Sequence, residues 1–247
     1  MAQDKSNHQG KSPPISPTRR RVPSNGTRDP ERTRRNLMDA AYREFSIAGY
    51  HGASIEKICK RAGVSKQILS HHFGSKENVY LTVLESAYEA SRSHDPELDL
   101  DVLDPVEAMR QLVCFSFDHL RSNRAFVSLL GDENVHKGKH IKRSKKLRDI
   151  YAPLIAKIAL ILQRGEEAGV FRRGIDPYQL YISISGLCFF YFSNAYTLST
   201  ALDVELMDND MLNARREHVL TFVMSGLGVP SPDDPVGLKA GALPGKA

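Results

Sequence analysis

The sequence predicts an all-α fold of about nine helices, a small N-terminal head followed by a larger helical body. Three observations predict it. Every convincing apolar periodicity is helical. No segment alternates apolar and polar residues in the way a half-buried strand would. Gly and Pro gather toward the two ends, while the middle is rich in Leu, Ala, Ile, Arg and Glu. The 247 residues, 41% hydrophobic and 26% charged, suit an ordinary globular chain of one or two domains.

Residues 1–28 are rich in Ser, Pro, Asn, Gln and Gly and carry Arg19, Arg20 and Arg21, with almost nothing apolar to offset the entropy of ordering. They are expected to be a disordered basic tail. Asp29-Pro30 then opens a first helix, because Asp caps and Pro suits the first turn. Leu37, Ala40, Ala41, Phe45 and Ala48 form its buried stripe, and Gly49 stops it. Ser54 caps a short second helix bearing Ile55, Ile58 and Ala62. Gly63-Val64-Ser65 turns the chain, and Ser65 caps a third helix from Lys66 to about His72. Gly74-Ser75 ends it and starts a fourth, striped by Val79, Tyr80, Val83, Leu84 and Ala87. Residues 29–75 thus form the head and 76–228 the body.

The acidic, Pro-containing stretch 94–105 is expected to be a connector, followed by helices near 105–121, 123–136, 140–168, 176–201 and 208–227. Residues 229–247, with Pro230, Pro232, Pro235 and Pro244, are expected to be a second disordered tail. The uncharged segment Pro177 to Leu202 is long enough to span a bilayer. Its Gln179, Asn194, Ser/Thr residues and four tyrosines argue instead for burial in protein. Three widely spaced cysteines (Cys59, Cys114, Cys188) exclude a disulfide scaffold and suit a reducing cytoplasm.

Charge is unevenly distributed. Residues 1–80 hold fifteen Lys/Arg against seven Asp/Glu, whereas 81–247 hold nineteen against twenty-two. Either the head binds a polyanion or its surface is basic for solubility. The spacing at 54–72 is that of a helix-turn-helix, with Gly63 in the turn and small Ala62 at the close approach. A generic helical hairpin has the same outline, but three features favour DNA. The third helix exposes Lys66, Gln67, Ser70 and His71, with His72 beside them, groups suited to base edges and phosphates. Arg32, Arg34 and Arg35 near the start of the first helix oppose its dipole, a cost that a phosphate backbone would offset. Lys76 opens the fourth helix, where a cation and free N–H groups can grip a phosphate, and Ser54 and Ser65 stand at the two preceding helix starts.

The run from Gly49 to Val79, with Ala62-Gly63-Val64-Ser65 in the turn and Phe73-Gly74-Ser75-Lys76-Glu77 leading into the fourth helix, resembles the head of TetR-family transcriptional regulators over about 45 residues. Two departures bear on sequence readout. Gln67 and Ile68 stand where the family often has a small residue and Thr, and Ser70 stands where it commonly has a phosphate-reaching Tyr. The resemblance implies a cytoplasmic homodimer on a double-stranded DNA operator, a repressor released by a small-molecule effector, with no cofactor. The body is also similar to regulators of catabolic operons, including those for nitrogen heterocycles such as nicotinate and pyrimidines.

Such a body holds an effector pocket and pairs through its last two helices. His119, His136, Arg164, Tyr181, Ser185, Phe189 and Phe192 are the pocket candidates, the polar five each read more readily, one at a time, as an ordinary surface or interior residue. Leu180, Ile184, Leu187 and Tyr191, with Val219, Leu220 and Val223, are the candidates for the dimer face, and equally for core. The basic stretch Glu133 to Arg148 reads as a solvated helix face or a second phosphate-facing surface. Glu133, His136 and His140 have metal-ligand spacing, but the intervening lysines oppose a cation. No nucleophile elbow, phosphate-binding Gly loop or His-Glu-x-x-His is present, so an enzyme is not expected. The alternative is a helical ligand-binding protein without specific DNA readout.

Overall fold

The computed structural model describes residues 29–92, 100 and 102–229, so the expected N-terminal tail, all of the C-terminal one but Val229, and most of the acidic connector lie outside the described residues. Among the described residues there are ten α-helices and no strand. In α1 (Pro30–Gly52), the Asp29 side chain accepts from the Glu31 N–H at 3.0 Å, and Leu37, Ala40, Ala41 and Phe45 are buried. Gly49 interrupts the helix with φ +64°, and the close approach of Asp132 explains why it is glycine: a Cβ there would lie 2.4 Å from Asp132 Oδ1.

The hairpin follows in α2 (Ile55–Ala62) and α3 (Lys66–Phe73). Gly63, at φ +70°, sends its N–H back to the Cys59 and Lys60 carbonyls, a left-handed cap that turns the chain. Buried Glu44 accepts from the Ser54 N–H at 3.2 Å and so fixes α2 against α1. Leu69 and Phe73 of α3 close the small head core. α4 (Lys76–Arg92) then runs as one helix from that core into the body, burying Val79, Tyr80, Val83, Leu84 and Ala87.

In the body, α5 (Pro105–Ser122) packs against α6 (Arg124–Val135), α7 (Leu147–Glu167), α8 (Pro177–Ser193) and α10 (Asn209–Gly226), with α9 (Ala195–Leu202) between the last two. Phe117, Met109, Ile158, Ile161, Ile184 and Val219 are essentially inaccessible at its centre.

Two helices differ from their sequence expectation. The one expected over 140–168 begins only at Leu147. Lys137 and Gly138 take positive φ (58° and 66°), a 3₁₀ turn covers Ile141–Arg143, and Ser144 Oγ accepts from the Lys146 and Leu147 N–H groups. A run of four cations in six residues repels itself along a helix, and the loop spreads it out. The helix expected over 176–201 is broken at Asn194, which ends α8 by donating from Nδ2 to the Phe190 carbonyl at 3.0 Å. No described helix is long and apolar enough to cross a membrane.

Candidate nucleic-acid interface and body pocket

The head presents its polar set on one side. Ser54 accepts from the Lys57 N–H and Ser65 from the Ile68 N–H, each satisfying an orphan donor of a helix start. On α3, Lys66, Gln67, Ser70 and His71 are exposed and His72 is half-buried, while Leu69 holds the helix down. Arg32, Arg34 and Arg35 are exposed along the first turns of α1, Arg34 lying 5.5 Å from the Phe73 ring and Arg35 4.0 Å from Asp29.

Two of the expected phosphate ligands are already engaged. Lys76 Nζ donates to the Ala53 carbonyl at 2.6 Å and sits 4.9 Å from the Tyr50 ring, tying the start of α4 to the entrance of α2. Lys66 Nζ is hydrogen-bonded to Glu56, whose other oxygen accepts from Ser54 Oγ at 2.7 Å. Lys66 first, then Ser54, hold the Glu56 carboxyl down to about 2. A depressed carboxylate pKa makes the pair's contribution fully present above the ordinary carboxylate range and lost only as pH falls toward 2. Between pH 5 and 8, then, the Glu56 carboxylate is ionised and Lys66 is paired with it. Glu56→Gln is expected to free Lys66 and to steepen the dependence of log K on log salt by about 0.9 per protomer on random duplex DNA. An unchanged slope in a salt titration would mean that Lys66 does not face a phosphate.

In the body, α4, α5, α6, α7 and α8 enclose a cavity of about 120 Å³. Tyr151, Tyr181, Phe115, Phe126 and Phe189 supply aromatic walls, and Ser91, Arg92, Ser116, His119 and Ser185 the polar groups. Arg92 Nε is buried without a hydrogen-bond partner among the described residues, and its guanidinium lies 5.3 Å from the Tyr151 ring. Burial, then Tyr181, pushes the Tyr151 hydroxyl well above its usual range, so it is a neutral donor. Cys188 also lines the cavity, and burial pushes its thiol up to about 12, which removes it as a nucleophile.

Residues 37–83 match the model of the tetR family of bacterial regulatory proteins, and residues 105–223 match the tetracycline repressor-like C-terminal domain. The HTH-type transcriptional repressor NicS of Pseudomonas putida is 37% identical over 178 residues, 72% of this chain and 84% of NicS. The chain belongs to the TetR family. The HTH-type transcriptional regulator RutR of Escherichia coli K12 is 26% identical, over 77% of this chain and 88% of RutR. A Streptomyces coelicolor transcriptional regulator, SCO4942, shares the fold with a TM-score of 0.60 and 24% identity, over 80% of this chain and 99% of that one. As a TetR-family member the protein is a DNA-binding transcriptional regulator and not an enzyme.

Within that TetR body the expected residues separate. His119, Tyr181, Ser185 and Phe189 line the cavity. Arg164 does not, because its guanidinium is hydrogen-bonded to the Leu100 and Leu103 carbonyls, holding the start of α5 against α7. Phe192 is buried behind the cavity, 4.9 Å from the Phe117 ring and beneath Arg124. His136 is at the head–body junction, its ring 4.8 Å from that of His51. Nor do Glu133, His136 and His140 converge: Glu133 and His140 pair at 2.9 Å, while His136 Nδ1 faces the Asp132 carbonyl at 2.7 Å.

Ile184, Tyr191, Val219, Leu220 and Val223 are buried within their own chain, and Leu180 and Leu187 are half-buried against the same core. The outward face of α8 and α10 carries different residues, with Tyr178, Ile182, Phe190 and Phe222 between 56% and 62% exposed. Sequence reasoning missed Arg92, Tyr151, Phe115 and Phe126 of the cavity. Phe115 was within reach, standing four residues before His119 on the same face of α5.

Proposed function

We propose that the chain is a homodimeric repressor whose two heads read a pseudo-palindromic operator and whose body releases it on binding a small molecule. The observation that carries the reading is the polar face of α3, where Gln67, Ser70 and His71 are all exposed beside the arginines of α1. The outward α8/α10 face supports pairing: four large apolar side chains more than half exposed are an interface composition. Gly186 and Gly226 lie on these helices with nothing within 4 Å of a Cβ position, room for a partner backbone.

The cavity supports effector control. At about 120 Å³ it has the room of a single aromatic ring, and half-buried Arg92 offers a charge for an anionic substituent. Ser91 and Arg92 are the last turn of α4, whose first residue, Lys76, anchors the head. A ligand that repositions one end of this helix moves the other, and so favours a head spacing that no longer fits the operator. Control of a catabolic operon in the cytoplasm is the setting we assign.

Selection from a random duplex library with purified full-length protein tests the reading. Two half-sites about one helical turn apart are expected, with a dimer in sedimentation velocity. A folded monomer, or a dimer that enriches no sequence, would defeat it.

A further inference from the structure

The loop between α6 and α7 is not explained by a dimer, an operator-reading α3 or an effector cavity. Its cations fall into two groups. Arg143 Nη1 bonds Glu77 Oε2 at 2.9 Å and Nη2 reaches Asn78 Oδ1 at 3.5 Å, both in the first turn of α4. Ser144 Oγ donates to Glu85 at 2.7 Å, and Lys146 Nζ lies 3.5 Å from Glu89. These partners are eight and twelve residues beyond Glu77, about 12 and 18 Å further along α4 at 1.5 Å per residue. From Arg143 onward the loop therefore climbs away from the head.

The residues before Arg143 are on the head side. The His140 ring packs 4.2 Å from Tyr50, and His136 packs on His51, three residues from the Ser54 cap of α2. Lys137, Lys139 and Lys142 project from this part, all exposed, with no carboxylate in ion-pair range among the described residues. Lys137 holds φ +58°, a left-handed conformation costly for a residue with a side chain. The backbone beneath them is fixed, since buried Glu133 accepts from the His140 and Ile141 N–H groups at 2.7 and 2.9 Å. Three like charges in six residues, on a loop bolted beside the starts of α2 and α4, repel one another unless an anion meets them.

We propose that Lys137, Lys139 and Lys142 form a body-borne phosphate contact that extends the DNA footprint of the head beyond the helix-turn-helix. The partner is duplex DNA because the patch is continuous with the two helix starts of the DNA-binding head, and its members are point charges suited to a backbone rather than to base edges. The contact is sequence-independent and adds affinity and salt dependence to every duplex the head engages. This assignment rests on the DNA-binding reading of the head.

The test is a salt titration, from about 50 to 300 mM, of full-length protein on a random-sequence duplex of roughly 40 bp. The variant Lys137→Gln/Lys139→Gln/Lys142→Gln is expected to flatten the slope of log K against log salt by about 2.7 per protomer, and Lys139→Gln alone by about 0.9. Arg172→Gln/Arg173→Gln, on the exposed segment between α7 and α8, controls for net charge and is expected to leave the slope nearly unchanged. Thermal unfolding of the variants is expected to match that of the parent. If the parent binds and the triple variant keeps its slope, the loop contact is overturned while DNA binding stands. Loss of adsorption to phosphatidylserine vesicles in that same variant would then assign the patch to a membrane surface. If the parent retards no duplex even at the lowest salt, the head reading falls and the loop contact with it.

Discussion

Glu133→Ala is expected to destabilise the protein by about 3–5 kcal/mol, because it takes the acceptor away from three buried hydrogen-bond donors. The carboxylate is 4% exposed and accepts from three donors: the His140 N–H at 2.7 Å, the Ile141 N–H at 2.9 Å and His140 Nδ1 at 2.9 Å. None can reach water without opening the loop, because His140 is itself 1% exposed beneath Tyr50 and Tyr80. Truncation leaves all three unsatisfied, and each unmade buried bond costs about 1–3 kcal/mol. For a chain of this size the melting temperature should fall by about 6–20 °C. Glu133→Gln keeps one acceptor oxygen for the two backbone donors but replaces the other, opposite His140 Nδ1, with an amide NH2, so it should fall between parent and Ala. A melt of Glu133→Ala within about 1 kcal/mol of the parent would show that the loop is not held from this carboxylate.

The neighbouring carboxylate has a separate task. Asp132 Oδ2 accepts from the Tyr50 N–H and the Tyr80 hydroxyl, each at 2.9 Å, so α6 grips both α1 and α4 where head meets body. Burial, then this hydrogen bond, pushes the Tyr80 hydroxyl far above its usual range and keeps it a donor. Gly49 is where it is because Asp132 occupies the space a Cβ would need. The cavity touches α6 at Phe126 and Leu130 and α4 at Ser91 and Arg92, so pocket and head share two rigid elements.

How far the sequence was readable depended on whether its signal was local. Caps and breaks were legible: Asp29, Ser54, Ser65, Gly49 and Gly63 do in the structure what their residue types suggest, because each acts on its own few neighbours. The polar face of α3 was legible for the same reason, since a short helix with Leu69 inward leaves Gln67, Ser70 and His71 outward. Phase on α8 was not. Dividing its residues between a pocket (Tyr181, Ser185, Phe189, Phe192) and a dimer face (Leu180, Ile184, Leu187, Tyr191) leaves out a third side, for the helix has three environments: cavity at Tyr181 and Ser185, core at Ile184 and Tyr191, and an outward face at Ile182 and Phe190. Hydrophobicity alone cannot separate a core from an uncovered interface. Arg92 and Tyr151 were missed because their convergence depends on how α4 and α7 cross, which no spacing within either helix records.

Gln67→Ala/His71→Ala is expected to produce the largest functional loss. The two residues are four apart on α3, so they lie on one face with Ser70 between them, all exposed. Ser70 is short, and its hydroxyl is turned toward the Gly74 carbonyl at 3.4 Å, which leaves the longer Gln67 and His71 to reach base edges. A good side-chain contact to a base is worth about 1–3 kcal/mol, and a dimer makes each contact twice. Losing one such contact per protomer should therefore cost about 2–6 kcal/mol on a library-selected site, roughly 30-fold to twenty-thousand-fold. Binding to random duplex, carried by phosphate contacts, should change little. Arg34→Gln/Arg35→Gln should give the opposite pattern, weakening both DNAs alike and flattening the salt slope by about 1.8 per protomer. Equal weakening of selected and random DNA by the α3 variant would show that these side chains touch backbone and that specificity comes from elsewhere, from DNA shape or from the α1 arginines in a minor groove. The two variants together thus divide binding into the part that reads sequence and the part that only holds charge, and they do so on one protein without knowledge of its effector.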